Sequence, residues 1–259
     1  MDCTAEFIEK YQEIVLLADL TESQSTNINT LQKNTICRSG LVLLCGYFEG
    51  FLREMCKEFV NGINDAKLNA QTLPLSLLSE HSTHCLDKFK SHKYELFSTL
   101  VQSLSDGKNI ELNAEKLSAT NANPTVDNIE RLFSAFDLPL ILDVITLEDF
   151  HEFQDMYNYE SQVNQSLKTK ISNIVNGNLD LELNILAEFE KKWTPKKKRR
   201  RIGYIGSIDE ILKKRNRIAH GEGDEIITPK DLRDMTNEIS KISNKLVEKL
   251  DLKLLELSS

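Results

Sequence analysis

Apolar residues recur at spacings of three and four along much of the chain, which is the pattern of helices that bury one face. The first such stripe covers about residues 5–18 and includes Phe7, Tyr11 and Ile14. The most apolar stretch covers residues 38–60, where a helix that hydrophobic is expected at the centre of the core or at a subunit interface. Its apolar stripe consists of Leu41, Leu44, Cys45, Phe48, Phe51, Leu52, Met55 and Phe59.

The middle of the chain has a weaker pattern. Apolar residues between 61 and 125 predict another helix, and the Asn-rich segment 107–124 is typical of a connection. Thr125 has the sequence of an N-cap for a short helix that ends by Leu138-Pro139, and Thr146 with Asp149 could begin another. Residues 161–193 are predicted to be helical, with a break near Gly177.

The C-terminal part predicts a helical hairpin with a short polar corner. Ser207 and Glu210 have the spacing of a capping box, which predicts a helix that begins there, and Gly221 stands where a left-handed residue ends a helix. Thr228 followed by Pro229 predicts the start of the final helix. Its apolar residues alternate at spacings of three and four, namely Leu232, Met235, Ile239, Ile242 and Leu246.

Composition supports a helical protein with one ordinary core. The 259 residues are 40% hydrophobic and 28% charged, and they include only 10 Gly and 5 Pro, fewer than sheets with tight turns require. We therefore predict an all-α bundle that forms a single domain over residues 1–259. Within it, residues 61–193 could be an inserted or elaborated helical region, and residues 194–206 form a basic loop.

Charge and cysteine content restrict the cellular compartment and the kind of nucleic-acid contact that are expected. The net charge of −8 argues against a protein that coats long stretches of nucleic acid, so any such contact should be local. Five cysteines without a C-x-x-C pair favour a reducing compartment. The N-terminal sequence is unlike a secretory signal, and no apolar run approaches the roughly 18 residues of a membrane span. The prediction is a soluble cytoplasmic protein with no membrane contact.

Histidine and cysteine come together in one segment without forming a metal motif. His81, His84, Cys85 and His92 lack a fourth ligand at zinc spacing. Nucleotide-binding and nucleophile-elbow motifs are also missing from the sequence. We expect neither a metal nor a cofactor.

The residues with the clearest chemical potential are Arg215, Asn216 and His220. A guanidinium offers two parallel donors to a phosphate, and an imidazole can take and return a proton near neutral pH. Asn216 and His220 are four residues apart and share a helix face, whereas Arg215 and His220 are separated by about 140°. Either the helix unwinds at Gly221 or a second protomer completes the pair. A solvated helix end, with Arg215 paired to a nearby acid such as Asp209 or Glu210, is the structural alternative.

The pattern at the end of this helix resembles the signature of the HEPN superfamily. It consists of Arg, a polar residue, three more residues and then His. The apolar segment 38–52 and the hairpin around 218–232 resemble the branch encoded near restriction and toxin loci. Together these segments cover about a third of the chain. The matching stretches are Arg38-Ser39-Gly40-Leu41, Phe48-Glu49-Gly50-Phe51-Leu52, Ile218-Ala219-His220-Gly221 and Thr228 to Leu232.

The resemblance implies a helical homodimer that dimerises through its motif helices and cuts RNA without a metal. His220 would be the acid and base, Arg215 would stabilise phosphoryl charge, and Asn216 would orient His220 or the phosphate. Arg217 could be a second phosphate ligand. In HEPN toxins silenced by a nucleotidyltransferase, a Tyr follows two places after the His, where this chain has Glu222. Silencing by that route is not expected here.

Glu49 and Arg38 of the apolar helix are candidates for supporting roles, and a basic run is a candidate RNA-binding segment. A carboxylate in an apolar helix needs a partner, so Glu49 could hold Arg215 or Arg38 in place, or could simply be exposed. The basic run is predicted to be an arm that grips phosphates, although it also resembles a nuclear-import signal and could be a solvated loop. The run consists of Lys196, Lys197, Lys198, Arg199, Arg200 and Arg201.

The leading functional hypothesis is a metal-independent endoribonuclease in a toxin or anti-phage defence setting. Attack by the RNA 2′-hydroxyl would leave 2′,3′-cyclic phosphate ends, and DNA could not be cut in this way. An antitoxin or another defence-system protein could be a partner. The alternative is a non-catalytic HEPN-like module that binds RNA or protein, including an adaptor for a restriction or toxin–antitoxin system.

Overall fold

In the computed structural model the described residues are 3–23, 28–120, 123–151, 169, 202–221 and 225–258. These residues form nine α-helices, one short 3-10 helix over Ala70–Thr72 and no strand, which confirms the all-α prediction. The helices are α1 (Cys3–Glu22), α2 (Thr30–Asp65), α3 (Leu75–Lys90), α4 (Glu95–Asp106), α5 (Ala114–Leu117), α6 (Val126–Ala135), α7 (Ile141–Asp149), α8 (Gly203–Ala219) and α9 (Pro229–Ser258).

Helix α2 is the centre of the bundle and packs against α1, α5, α8 and α9. It begins with a capping box in which Asn29 accepts from the Gln32 amide and Gln32 accepts from the Asn29 amide, both at 2.9 Å. An 18-residue window of α2 has a mean hydropathy of 1.2, so its length and composition alone would allow a membrane span. Its predicted apolar stripe is buried in the core, which explains that hydropathy in a helical bundle.

Helices α1, α2 and α9 pack closely because small residues stand where they meet. A Cβ on Gly40 would lie 2.7 Å from Leu232, and one on Gly62 would lie 2.7 Å from Leu254. Larger side chains at these positions would force the long helices apart, since packed interiors have little free space. The predicted stripe of α9 is buried against this layer, including Leu232, Ile239 and Leu246.

The region between α2 and α8 contains more helices than the sequence predicted. Two helices, α3 and α4, occupy the stretch where one was expected, and the connection 107–124 contains the short α5. Thr125 caps α6 as predicted, because its hydroxyl accepts from the Asn128 amide at 3.2 Å. The predicted helix start at Thr146 is wrong. Helix α7 begins at Ile141, and Thr146 lies fully buried inside it.

Helix α8 begins one turn earlier than its capping-box sequence predicted. The N-cap is Ile202, and Gly203 has φ of +52°, so Ser207 lies inside the helix. The Tyr204 amide donates to the Thr146 hydroxyl at 3.3 Å, a tertiary contact that supplies the missing partner at the helix start. The basic loop therefore ends by Ile202. Residues 161–193, predicted to be helical, lie outside the described residues apart from Thr169.

Helix α9 begins where the sequence predicted. The Thr228 hydroxyl accepts from the Asp231 amide at 3.1 Å, and the Asp231 carboxylate accepts from the Thr228 amide at 3.0 Å. This reciprocal pair is a capping box in which Asp takes the place of Glu. It fixes the far side of the corner that follows α8.

Candidate active site

Helix α8 has one face in the core and another along an open groove. The buried face includes Tyr204, Ile208 and Ile211. The groove has a volume of about 920 Å³ and follows α8 over its 17 residues, a length of about 26 Å. It is lined by Thr125, Gly203, Gly206, Ser207, Asp209, Glu210, Leu212, Lys213, Asn216, Arg217 and His220.

His220 stands at the C-terminal end of this groove. It is the C-cap of α8, with its amide donating to the Asn216 carbonyl at 2.9 Å. Gly221 follows with φ of +68° and donates to the Ile218 carbonyl at 3.1 Å, so the predicted left-handed glycine is confirmed. The chain turns away immediately after His220, which leaves the imidazole exposed at the mouth of the groove.

Arg215 is half-buried and contacts its neighbour in the helix. Its Nη1 donates to the Asn216 side-chain oxygen at 3.0 Å, and among the described residues its buried Nε has no hydrogen-bond partner. Burial raises the pKa of the Cys45 thiol to about 12, and the charge of Arg215 acts in the opposite direction. Because five residues turn an α-helix by about 140°, Arg215 and His220 leave α8 on different faces.

Asn216 connects these two faces. Its side chain lines the groove together with His220, while its amide oxygen accepts from Arg215. The amide nitrogen is the atom of this side chain that could donate to a group in the groove, because the oxygen can only accept. Asn216 therefore contacts the Arg215 guanidinium and also lines the groove.

Arg217 also lines the groove, but it is paired within the chain. Its Nη1 lies 3.1 Å from the Glu225 carboxylate, across the corner between α8 and α9. The Ile227 amide donates to Asn34 on α2 at 3.0 Å, which ties the same corner to the central helix. A phosphate that bound Arg217 would have to share it with Glu225.

The two residues assigned supporting roles do not take the partners expected of them. Glu49 accepts a hydrogen bond from Thr120 at 3.4 Å instead of holding Arg215 or Arg38. Thr120, in the connection after α5, supplies the polar partner that a half-buried carboxylate needs. Arg38 lies in a second groove, of about 540 Å³, with Ile218 of α8 on its other side.

Of three further sets of residues considered in the sequence, the structure describes only the histidines and Cys85. Lys196, Lys197, Lys198, Arg199, Arg200 and Arg201 lie outside the described residues, as does Glu222. Of the residues considered as metal ligands, His81 Nε2 and Cys85 Sγ lie 3.5 Å apart, whereas His84 Nε2 lies 3.4 Å from Asn113 and His92 Nδ1 lies 2.7 Å from the Tyr94 hydroxyl. No cluster of three or more acidic, His or Cys ligands occurs in the described part of the chain.

Lys213 is a groove residue that the sequence reasoning missed. It is exposed, it precedes Arg217 by four residues and His220 by seven, and it forms no ion pair among the residues that the structure describes. Counting along one helix face from His220 would have found it. Asp209 and Glu210 line the other half of the groove, so its basic character is confined to the end where His220 stands.

The start of α8 is held by a buried tyrosine. Tyr204 donates a hydrogen bond to the Asp149 carboxylate at the end of α7, and Lys245 of α9 lies 3.0 Å from the same carboxylate. The hydrogen bond from Tyr204, followed by Lys245, lowers the pKa of Asp149 below its usual range. These contacts join three helices and fix the direction in which α8 leaves the core.

Comparison with family models assigns the chain to a protein family. The model described as RiboL-PSP-HEPN matches residues 5–149 and 146–252, which together include the central helix, α8 and most of α9. Comparison with curated proteins and with solved structures gave no match to this chain. The family match covers the motif segment and the apolar helix on which the resemblance to HEPN proteins depends. The chain therefore belongs to the RiboL-PSP-HEPN family.

Proposed function

We propose that this protein is a metal-independent endoribonuclease that cleaves RNA through its 2′-hydroxyl. Membership of the HEPN superfamily points to nucleic-acid-related chemistry, because its members are often ribonucleases. The observation that carries the proposal is the exposed imidazole of His220 at the mouth of a groove that Lys213 and Asn216 also line. Cation, amide and imidazole are the groups that a phosphodiester and its neighbouring hydroxyl would need.

The proposed reaction uses these side chains directly. His220 takes the proton of the 2′-hydroxyl as its oxygen attacks phosphorus, and the resulting imidazolium returns that proton to the 5′-oxygen as the bond between phosphorus and the 5′-oxygen breaks. The products are a 2′,3′-cyclic phosphate and a free 5′-hydroxyl. Arg215 stabilises the charge on the non-bridging oxygens, and Asn216 orients the phosphate or the imidazole.

The same proposal includes a homodimer, because one protomer does not aim Arg215 and His220 at the same point. A surface suited to pairing lies beside Arg215, where a groove of about 540 Å³ is lined by Arg38, Leu43, Ile218 and their neighbours on α2. Leu43 is 45% exposed there. A two-fold axis beside α8 would bring Arg215 of one copy towards His220 of its partner.

A cleavage assay in EDTA tests the chemistry. Wild type should cut a single-stranded RNA to products that end in 2′,3′-cyclic phosphate, whereas a substrate with 2′-deoxy sugars should stay intact. His220→Ala and Arg215→Ala should abolish cutting, while Arg53→Ala, which removes an exposed arginine paired with Glu115, should retain it. Loss of wild-type cutting in EDTA, or cutting of the deoxy substrate, refutes the mechanism.

Mixing the two inactive variants tests the composite cleft. If Arg215 acts on the partner's His220, half of the dimers after equilibration are heterodimers that retain one of two Arg–His pairs. Activity should then return to roughly a quarter of the wild-type value. Mixtures that stay inactive would place the working Arg–His pair within one chain. A monomeric protein at the assay concentration, measured by light scattering, would refute the composite cleft.

The alternative proposal is a module that binds RNA or protein without cutting it. It is favoured by one observation, since Arg217, which lines the groove together with His220, is engaged by Glu225. RNA that is bound and left intact by wild type in every buffer would support this alternative.

The biological setting proposed is toxicity or anti-phage defence, with control by a partner protein such as an antitoxin. This setting rests on the resemblance of the motif segments to the branch encoded near restriction and toxin loci. Induced expression in a bacterial host should stop growth, and His220→Ala should restore it. Equal growth with both proteins would contradict the toxin assignment.

A further inference from the structure

The corner between α3 and α4 presents aromatic rings and lysines at the surface. This α3–α4 tip, residues 88–94, is far from the motif in sequence and takes no part in the proposed reaction. Phe89 is 42% exposed and Tyr94 is 48% exposed. Two large rings exposed side by side form an apolar patch, and such patches are typical of surfaces that bind a ligand or a partner.

The rings of the tip are held in place before any ligand arrives. The ring centroids of Phe89 and Tyr94 lie 4.9 Å apart in an edge arrangement, and those of Phe89 and Phe97 lie 5.4 Å apart. The Tyr94 hydroxyl lies 2.7 Å from His92 Nδ1, and the Lys93 amide donates to the Lys88 carbonyl at 3.0 Å. A ligand that stacks on these rings would lose little conformational entropy of the protein.

Charge at the tip differs from the charge of the whole chain. Residues 88–94 contain Lys88, Lys90 and Lys93 and no acid, in a protein with a net charge of −8. Lys90 lies 3.5 Å from Asp87, whereas Lys88 and Lys93 form no ion pair in the described part of the chain. Burial and then the charges of Lys88 and Lys116 lower the pKa of His84, and the charge of Asp87 acts in the opposite direction.

We propose that the α3–α4 tip binds single-stranded nucleic acid, with bases stacked on Phe89 and Tyr94 and phosphates held by Lys88 and Lys93. Aromatic rings interleaved with lysines suit this ligand, because every base has a face that stacks and every nucleotide carries a phosphate. A partner protein recognised through its apolar surface would have no use for the lysines. The proposal relies on the proposed function only in naming RNA as the strand.

Binding to a 2′-O-methyl RNA of mixed sequence tests the tip without cleavage, since that strand lacks the attacking hydroxyl. Fluorescence anisotropy would compare wild type with Lys88→Gln/Lys93→Gln over a range of salt concentrations. The slope of log affinity against log salt should fall by about 1.4, which is about 0.7 for each phosphate contact to a single strand. The matched control, Lys10→Gln/Lys241→Gln, removes the same charge from α1 and α9 and should leave the slope unchanged.

Two variants of one residue test the stacking separately from the charge. Tyr94→Phe keeps the ring and loses only the hydroxyl, so it should bind like wild type. Tyr94→Leu keeps an apolar side chain without a ring face and should bind about fivefold more weakly or worse. Circular dichroism and thermal unfolding confirm that both variants are folded.

The outcomes separate the tip from the catalytic site. Binding by Tyr94→Leu equal to that of Tyr94→Phe, or an unchanged salt slope for the lysine variant, overturns the proposal. Absence of wild-type binding also overturns it. If wild type binds RNA without cutting it and Tyr94→Leu binds more weakly, the proposed nuclease activity is refuted while the proposed binding at the α3–α4 tip is supported.

Discussion

Gly203 offers a quantitative test of how α8 is placed. It has φ of +52°, and a Cβ added to it would lie 2.2 Å from Cγ2 and 3.0 Å from Oγ1 of Thr146. Gly203→Ala therefore has two independent costs. The left-handed backbone costs an L-residue about 1 to 2 kcal/mol, and overpacking against the buried Thr146 costs about 1 to 3 kcal/mol more. We expect a total loss of about 2 to 5 kcal/mol in the free energy of unfolding.

Two other glycines separate these costs. Gly221 has φ of +68°, and no atom of the described residues lies within 4 Å of an added Cβ, so Gly221→Ala should lose only the backbone part, about 1 to 2 kcal/mol. Gly46 lies inside α2 without positive φ, and the part of the chain that the structure describes places no atom within 4 Å of the added carbon. Because Ala is the better helix former, Gly46→Ala should gain up to about 1 kcal/mol.

A second substitution isolates the clash with Thr146. Thr146→Ser removes Cγ2, the atom at 2.2 Å, and keeps the hydroxyl that accepts from the Tyr204 amide. In the Thr146→Ser background, Gly203→Ala should cost less than it does in wild type, although the contact with Oγ1 remains tight. The difference between the two costs is the coupling between these positions.

Urea unfolding followed by far-ultraviolet circular dichroism measures wild type, the four single variants and the Thr146→Ser/Gly203→Ala double variant at equilibrium. The expected order of stability places Gly46→Ala highest, then wild type, Gly221→Ala and Gly203→Ala. A loss in Gly203→Ala no larger than that in Gly221→Ala would show that the approach to Thr146 does not limit this position. Equal costs of Gly203→Ala in both Thr146 backgrounds would refute the same argument independently.

Three further predictions concern the groove and the helix ends. Lys213→Gln should weaken binding of single-stranded RNA and lower the salt slope by about 0.7, whereas Lys214→Gln, which removes a lysine already paired with Glu210, should change the slope less; salt-dependent anisotropy measures both. The depressed pKa of Asp149 contributes stability that is present above the usual Asp range and is lost as pH falls through the folded value, so Tyr204→Phe should lose less stability than wild type between about pH 7 and pH 3 in urea titrations. Thr228→Ala should lose about 1 kcal/mol in urea unfolding, because it removes the side-chain acceptor of the α9 cap, and an unchanged unfolding midpoint would contradict that role.

Helix ends were predictable where the capping group is local, and not where a distant residue replaces it. Thr125 and Thr228 cap the helices that follow them, as their sequences predicted. Ser207 and Glu210 have the same spacing, yet α8 continues through Ser207 because Thr146, distant in sequence, accepts from the Tyr204 amide. The hydroxyl of Thr146 was itself mistaken for a cap. A capping sequence predicts a start only when no tertiary partner extends the helix.

The candidate site was predictable to a similar degree. The left-handed glycine after His220 follows from local chemistry, and the sequence also indicated the shared face of Asn216 and His220. The partner of Glu49 could not be predicted, because Thr120 reaches it from a connection whose path depends on α3 to α6. Lys213 could be predicted from spacing alone, because it lies seven residues before His220 on the same side of α8, but it falls outside the segment that resembles the family motif.

The position of His220 depends on contacts that have no chemical role in the proposed reaction. Helix α8 is fixed at its start by Thr146 and by the Tyr204–Asp149 hydrogen bond, and at its end by the ion pair between Arg217 and Glu225. A rigid helix transmits an error in direction at its start over the roughly 26 Å to its other end. Catalytic groups need to be held within about 0.5 Å of their productive geometry, and in the proposed shared cleft a tilt would displace the groups of both protomers. Substitutions at the start of α8 should therefore reduce RNA cleavage at temperatures where the protein is still folded.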